Sequence, residues 1–227
     1  MKENYTEIMF ILDRSGSMSN MVEYTISGFN EFIEKQKQID GECKVSLILF
    51  DDEYEEIYLS KNIYEVEKLT TAIYIPRGWT ALNDAIAKGI KDLGVKLRKM
   101  SQHKRPSKVI VVVITDGQEN RSKTYGGVEG TQKIKDIIKH QEEKYNWNVI
   151  LMGCSDLGLE QMAQTYNISS NHTYTFVRGA MGPQGPSGAI GVSLSDAVAS
   201  YRIGKCDTVA FNATGTEDEE WTSSNQI

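Results

Sequence analysis

Asp13, Ser15 and Ser17 occupy alternate positions of one short stretch, Asp13-Arg14-Ser15-Gly16-Ser17. Two other stretches supply atoms of the same kind: Thr80 within Gly78-Trp79-Thr80-Ala81-Leu82, and Asp116 within Thr115-Asp116-Gly117. The set is two carboxylates and three hydroxyls, all hard oxygen donors. A small hard divalent cation prefers such ligands in near-octahedral geometry and keeps several of its waters. The chemistry indicated is therefore metal binding, and not a nucleophile with a base beside it.

These residues need elements that bring them together. Residues 8–12 and 109–114 are unbroken apolar runs, the pattern of strands covered on both faces of a parallel sheet. Residues 45–50, 148–152 and 173–177 read as three more strands. Between them Val22, Ile26, Phe29 and Ile33 form one helical stripe, and Leu82, Ile86, Ile90, Leu93 and Leu97 form a stronger one. Ile134, Ile137 and Ile138 mark a third helix, Leu159, Met162, Ala163 and Tyr166 a short fourth, and Leu194, Ala197, Val198 and Tyr201 a last one. Asp51-Asp52 is too short a link for a parallel crossover, so the following residues 55–59 are expected to return as an antiparallel edge strand. The fold class is α/β: a doubly wound, mostly parallel sheet with one antiparallel edge strand and helices on both faces. Ligands of such sheets sit beyond the carboxyl ends of the strands, where strand order reverses. Asp13 and Asp116 each follow a strand, and Thr80 precedes the strongest helix.

Composition narrows the function. The 227 residues carry a formal net charge of −6 with a pI near 5.2 and no basic run, which argues against nucleic-acid binding. The longest apolar run is too short to cross a bilayer, and Lys2 and Glu3 stand where a leader would need an apolar segment, so neither membrane nor signal peptide is expected. Three widely spaced cysteines, Cys43, Cys154 and Cys206, form no CxxC pattern and imply a reducing, cytoplasmic setting. His103, His140 and His172 lack partners at zinc-ligand spacing.

With these motifs in order, the chain resembles a von Willebrand factor A-type domain, the fold of integrin I domains, over roughly residues 5–203. The stand-alone form is similar to bacterial and phage proteins. The resemblance implies that Asp13, Ser15, Ser17, Thr80 and Asp116 form a metal-ion-dependent adhesion site for Mg²⁺ or Mn²⁺. Ser15 and Ser17 would bind the ion directly, Thr80 would do so in the ligand-engaged state, and Asp13 and Asp116 would act mainly through water. The implied function is a non-enzymatic protein-binding module in which the ion bridges to an Asp or Glu of a partner. Arg14, Trp79 and Glu119, beside the ligands in sequence, are candidate partner contacts. For Trp79 the reading as an anchor of its own loop is preferred to that of an exposed aromatic for a partner.

Other readings compete with this one. One of Ser15, Ser17 and Ser19 could simply cap the following helix, and Asp116-Gly117 could be only a turn. Asp84 reads as a supporting carboxylate or a helix-start charge, and Asp51 and Asp52 as turn residues. A phosphohydrolase with Asp13 as nucleophile would want a carboxylate where Ser15 stands, so it is disfavoured. A structural or assembly component, for example of a virion, is the main alternative, favoured by residues 179–191, where Gly recurs every third residue in a collagen-like period. That tract is read as a loop within a domain of residues 1–203. Residues 204–227, with the acidic Glu217-Asp218-Glu219-Glu220, are read as a disordered tail.

Overall fold

The computed structural model describes residues 1–153, 156–175 and 189–210. In chain order the elements are β1 (Lys2–Asp13), α1 (Val22–Gln36), β2 (Glu42–Phe50), β3 (Tyr54–Asn62), α2 (Leu82–Lys99), β4 (Pro106–Ile114), α3 (Gly127–Tyr145), β5 (Asn148–Gly153), α4 (Asp156–Tyr166), β6 (Thr173–Thr175) and α5 (Ala189–Arg202). A 3₁₀ turn, Gly16–Met21, links β1 to α1. The strands form one sheet in the order β3-β2-β1-β4-β5-β6, with β3 antiparallel at the edge and every other pair parallel. Strand order reverses between β1 and β4, as the expected fold class requires.

Alternate residues of the central strands feed two cores. Ile8, Phe10 and Leu12 join Ile110, Val112 and Ile114 on the face covered by α1 and α5. There Phe10 meets Phe29 and Phe32 edge-on, with ring centroids 5.1 and 5.0 Å apart. Met9 and Ile11 join Val111 and Val113 beneath α2, α3 and α4 on the other face. Burial on both sides explains why β1 and β4 are apolar without alternation.

Three boundaries differ from expectation. The edge strand is longer than residues 55–59, because a bulge around Ser60 (φ +54°) lets pairing continue to Asn62. The last helix begins at Ala189, inside the glycine-periodic tract, most of which lies outside the described residues. Residues 204–210 are not a free tail. Val209 is fully buried against the α1/α5 core, and Asn148 Oδ1 accepts from both the Thr208 hydroxyl (2.6 Å) and the Val209 N–H (2.9 Å). Cys154, and the acidic run of residues 217–220 with the chain around it, lie outside the described residues. Among the described residues no helix is long and apolar enough to cross a membrane.

Candidate functional site

Parallel pairing sets the first half of the site. β1 and β4 are in register from Leu12 to Ile114, which brings Asp13 and Thr115 side by side as both chains leave the sheet. The Thr115 hydroxyl donates to Asp13 Oδ2 at 2.6 Å, and the Ser15 N–H donates to Asp13 Oδ1 at 2.6 Å. Asp13 is thus fixed by its neighbours and fully buried. Burial pushes its carboxyl up to about 6, the Thr115 and Ser15 bonds pull the other way, and Asp116 adds repulsion. Thr115 went unremarked in the sequence except as part of a turn motif. The strand register is what reveals its role.

The chain then turns tightly through Gly16–Met21. Ser15 Oγ and Ser17 Oγ lie 3.0 Å apart, and the Ser17 hydroxyl donates to Asp116 Oδ1 at 2.6 Å. None of the serines caps α1, whose N-cap is Met21 without a side-chain bond. Ser19 instead donates to the Gly16 carbonyl. The capping interpretation of Ser15 and Ser17 therefore fails, and their hydroxyls remain at the crevice. A Cβ on Gly117 would stand 3.5 Å from both Ser17 Oγ and Thr80 Oγ1, so all three ligand-bearing stretches converge on the same point.

Thr80 is held from two sides. Its N–H donates to Asn120 Oδ1 (3.0 Å), and its carbonyl accepts from Asn120 N (3.0 Å) and Arg121 N (3.1 Å). On the other side Gly16 N donates to the Gly78 carbonyl (3.2 Å), Arg77 N to the Arg14 carbonyl (2.7 Å) and Ala81 N to the Asp51 carbonyl (2.9 Å). Gly78 has φ +64°, and a Cβ there would collide with Asp52 Oδ1 at 2.0 Å, so only glycine fits this turn. The Tyr74 hydroxyl, from the same loop, donates to the Asp13 carbonyl.

Two carboxylates, Asp13 and Asp116, thus share the crevice, and neither forms an ion pair among the described residues. Buried negative charge without a counterion is costly, and a cation seated between these oxygens would relieve it. Ser17 is exposed while Ser15 and Thr80 are buried, so the arrangement is closed from below and open above. Hard oxygen donors of this kind suit a small divalent ion.

The flanking residues separate. Trp79 is 61% exposed, which ends its interpretation as an anchor, and Ile73 and Ile75 on the same loop are exposed as well. Arg14 points inward and is only 4% exposed, with Nε 3.0 Å from Asp51 Oδ2 and Nη1 paired with Glu55. It cannot meet a partner without leaving that pocket. Glu119 is equally committed. Its Oε2 accepts from Asn83 N (2.8 Å) and the Ser122 hydroxyl (2.7 Å), and its Oε1 from Arg121 N (2.9 Å) and Ser122 N (2.7 Å). Through Asn83 N it caps the start of α2, where Ala81 at the N-cap makes no side-chain bond. Asp84, in the first turn of α2, accepts from the backbone N–H groups of Lys123, Thr124 and Tyr125. Asp51, read as a turn residue, is a buried bridge between two arginines.

Three solved structures are similar to this chain. The crystal structure of manganese-loaded Plasmodium vivax TRAP protein superposes with a TM-score of 0.54 at 17% identity, over 77% of this chain and 69% of that one. Proximal thread matrix protein 1 of the mussel byssus gives a TM-score of 0.48 at 16% identity, over 77% of this chain but only 42% of its own. A von Willebrand factor type A protein from Catenulispora acidiphila gives 0.49 at 12% identity, over 78% and 38%. This chain therefore spans well under half the length of the latter two. Comparison with curated proteins found no match. The model of the von Willebrand factor type A domain matches residues 7–180. With the sheet order, the switch-point crevice and that match in agreement, the chain belongs to the von Willebrand factor type A domain family, a family of metal-dependent adhesion and protein-interaction modules.

Proposed function

We propose that the chain is a non-enzymatic, metal-dependent protein-binding module. Asp13, Ser15, Ser17, Thr80 and Asp116 hold Mg²⁺ or Mn²⁺, and the ion's outward position takes an Asp or Glu carboxylate from a partner protein. The observation that carries this reading is the convergence of three hydroxyls on two carboxylates that have no counterion among the described residues. Ser15, Ser17 and Thr80 are neutral, so the ion they hold keeps charge to spend on one further anionic oxygen, and that contact would be charge-assisted. Asp13 and Asp116 orient the remaining waters.

The rim supplies specificity. Trp79, Ile75 and Ile73 lie exposed on the loop that delivers Thr80, and that loop is tied down by Tyr74, Arg77, Gly78 and Ala81. Rigid exposed aromatics make good anchors for a partner because little entropy is lost on docking. A reducing, cytoplasmic setting belongs to the same reading, since Cys43 and Cys206 are free thiols.

The test is capture of partners from a lysate by the immobilised chain, with Mg²⁺ or with chelator, followed by identification of what is retained. Partners released by chelator and absent from a Ser15→Ala column support the reading. An identical retained set under every condition would overturn it.

A further inference from the structure

We propose that Asp51 is a positioning residue for the metal centre, acting through Arg14 and Arg77 to set where Thr80 stands relative to Ser15 and Ser17. The proposal rests on the metal-site reading above.

Asp51 follows β2 and touches none of the candidate ligands, yet it is bonded to both loops that carry them. Its Oδ2 accepts from Arg14 Nε at 3.0 Å and from Arg77 Nε at 2.8 Å. Its carbonyl accepts from Ala81 N at 2.9 Å, one residue beyond Thr80. Its Oδ1 accepts from Glu53 N at 2.7 Å, which locks the carboxylate plane to the β2–β3 turn. Arg14 lies between Asp13 and Ser15, and its main chain is pinned as well: its N–H donates to the Phe50 carbonyl (2.7 Å), and its carbonyl accepts from Arg77 N (2.7 Å). The two arginines thus meet twice, once backbone to backbone and once through a shared carboxylate oxygen.

Two guanidinium groups that converge on one point repel each other unless an anion lies between them. Asp51 is 1% exposed and Arg14 4%, so water screens little of the Arg14–Asp51 pair, while Arg77 meets the same oxygen from the solvent side. The arginine fork suits a fixed carboxylate in direction as well as charge. Without the carboxylate the two loops are pushed apart at Arg14, which directly precedes Ser15, and at Arg77, three residues before Thr80. The bridge therefore fixes a distance that the ion needs. Asp51 lies 37 residues from Arg14 and 26 from Arg77 in the chain, so sequence spacing gave no sign of it.

Arg77 provides the decisive variant because its side chain is 53% exposed and its ion pairs add little to stability. The experiment titrates the full chain with Mn²⁺ alone, following free Mn²⁺ by electron paramagnetic resonance, with circular dichroism and a melting curve for each variant. Arg77→Ala is expected to fold normally and to bind Mn²⁺ about tenfold more weakly, the scale seen for residues that orient metal ligands. Thr80→Ala should weaken binding by about the same factor, and the double variant should be no worse than Thr80→Ala, because both changes remove one contact. Asp51→Asn should match Arg77→Ala. If Asp51→Asn does not fold, the Arg77 and Thr80 variants still decide the matter. A purely structural bridge would lower melting temperature without this non-additivity. The proposal is overturned if Arg77→Ala binds Mn²⁺ like the wild type, or if its loss adds fully to that of Thr80→Ala. A wild type that binds no Mn²⁺, or a Ser15→Ala variant that binds it normally, would instead overturn the metal site itself, and the bridge with it.

Discussion

Strand β1 carries two buried carboxylates, Glu7 at its middle and Asp13 at its finish, and both are fully shielded from solvent. Burial raises the pKa of both above the ordinary carboxylate range. Their surroundings differ. Asp13 is gripped by an N–H and a hydroxyl, faces Asp116 and the Ser17 hydroxyl, and lies at the open edge where strand order reverses. Glu7 accepts from the Tyr5 hydroxyl at 2.5 Å and lies under the wall of the sheet, with Ser60 beside it and Lys96 and Lys44 further off. A buried charge alone therefore marks no site. What distinguishes Asp13 is a second carboxylate, converging hydroxyls and an opening to solvent.

The largest effect expected follows directly. Asp13→Ala and Asp116→Ala should each abolish Mn²⁺ binding while leaving the fold intact, because each removes half the negative charge that faces the ion. Glu7→Gln, on the same strand, should bind Mn²⁺ like the wild type. Calorimetric titration of the three variants measures this. Full-strength binding in either aspartate variant, or loss of binding in Glu7→Gln, would erase the distinction between the two carboxylates.

The next effect lies at the rim. Trp79→Ala should lower capture of the proposed partner about tenfold or more, as truncation of a central aromatic anchor does. Its Mn²⁺ affinity should not change, since the indole is exposed and only the Trp79 backbone N–H is tied, to Asp52 Oδ1 at 3.2 Å. Equal losses in capture and metal affinity would show that Trp79 acts on the loop and not on the partner.

Parts of this were readable in the sequence for definite reasons. Residues 8–12 and 109–114 are apolar throughout because two helical layers cover them, and a two-residue acidic link announced the hairpin. The five candidate ligands could be named because each sits next to a strongly patterned element. The inward turn of Arg14 and Glu119 is not readable in the sequence, because adjacency to a candidate ligand says nothing about which way a side chain turns. Glu7 gave no signal either, since a charge in a strand ordinarily faces water. Its partner Tyr5 lies two residues away on the same strand, and the bulge in β3 sets Ser60 beside it. Long-range polar bridges such as Arg14–Asp51–Arg77 have no period and no motif to announce them.

Glu7 gives a smaller effect, on stability. Its folded-state pKa lies above the unfolded value, so between the two the folded protein holds a proton the unfolded chain has released. Stability from this group is therefore complete below the unfolded pKa, near 4.5, and is lost as pH rises through the folded one. Glu7→Gln removes the penalty at neutral pH and should raise Tm there by about 3 °C, with the gain vanishing below about pH 4. Melting curves from pH 4 to 8 test the sign. A gain that persists undiminished in acid would mean that packing, not charge, is responsible.

The smallest expected effect sets Glu119 against Trp79, since both stood as partner contacts. Glu119 accepts four hydrogen bonds from Asn83, Arg121 and Ser122, and its charge faces the uncapped start of α2. Glu119→Gln keeps the size but loses the charge, and its amide nitrogen turns a donor toward N–H groups that need an acceptor. The expected cost is about 2 °C in Tm, from weakened bonds and a lost dipole contact. Capture of the partner and Mn²⁺ affinity should hold, because the carboxylate faces its own loop and not the crevice. Paired measurements of melting temperature and capture separate the two residues: Trp79→Ala moves capture and leaves Tm, and Glu119→Gln does the reverse. If Glu119→Gln lowers capture with Tm unchanged, the carboxylate leaves its loop when the partner arrives, and the rim is more pliant than its hydrogen bonds imply.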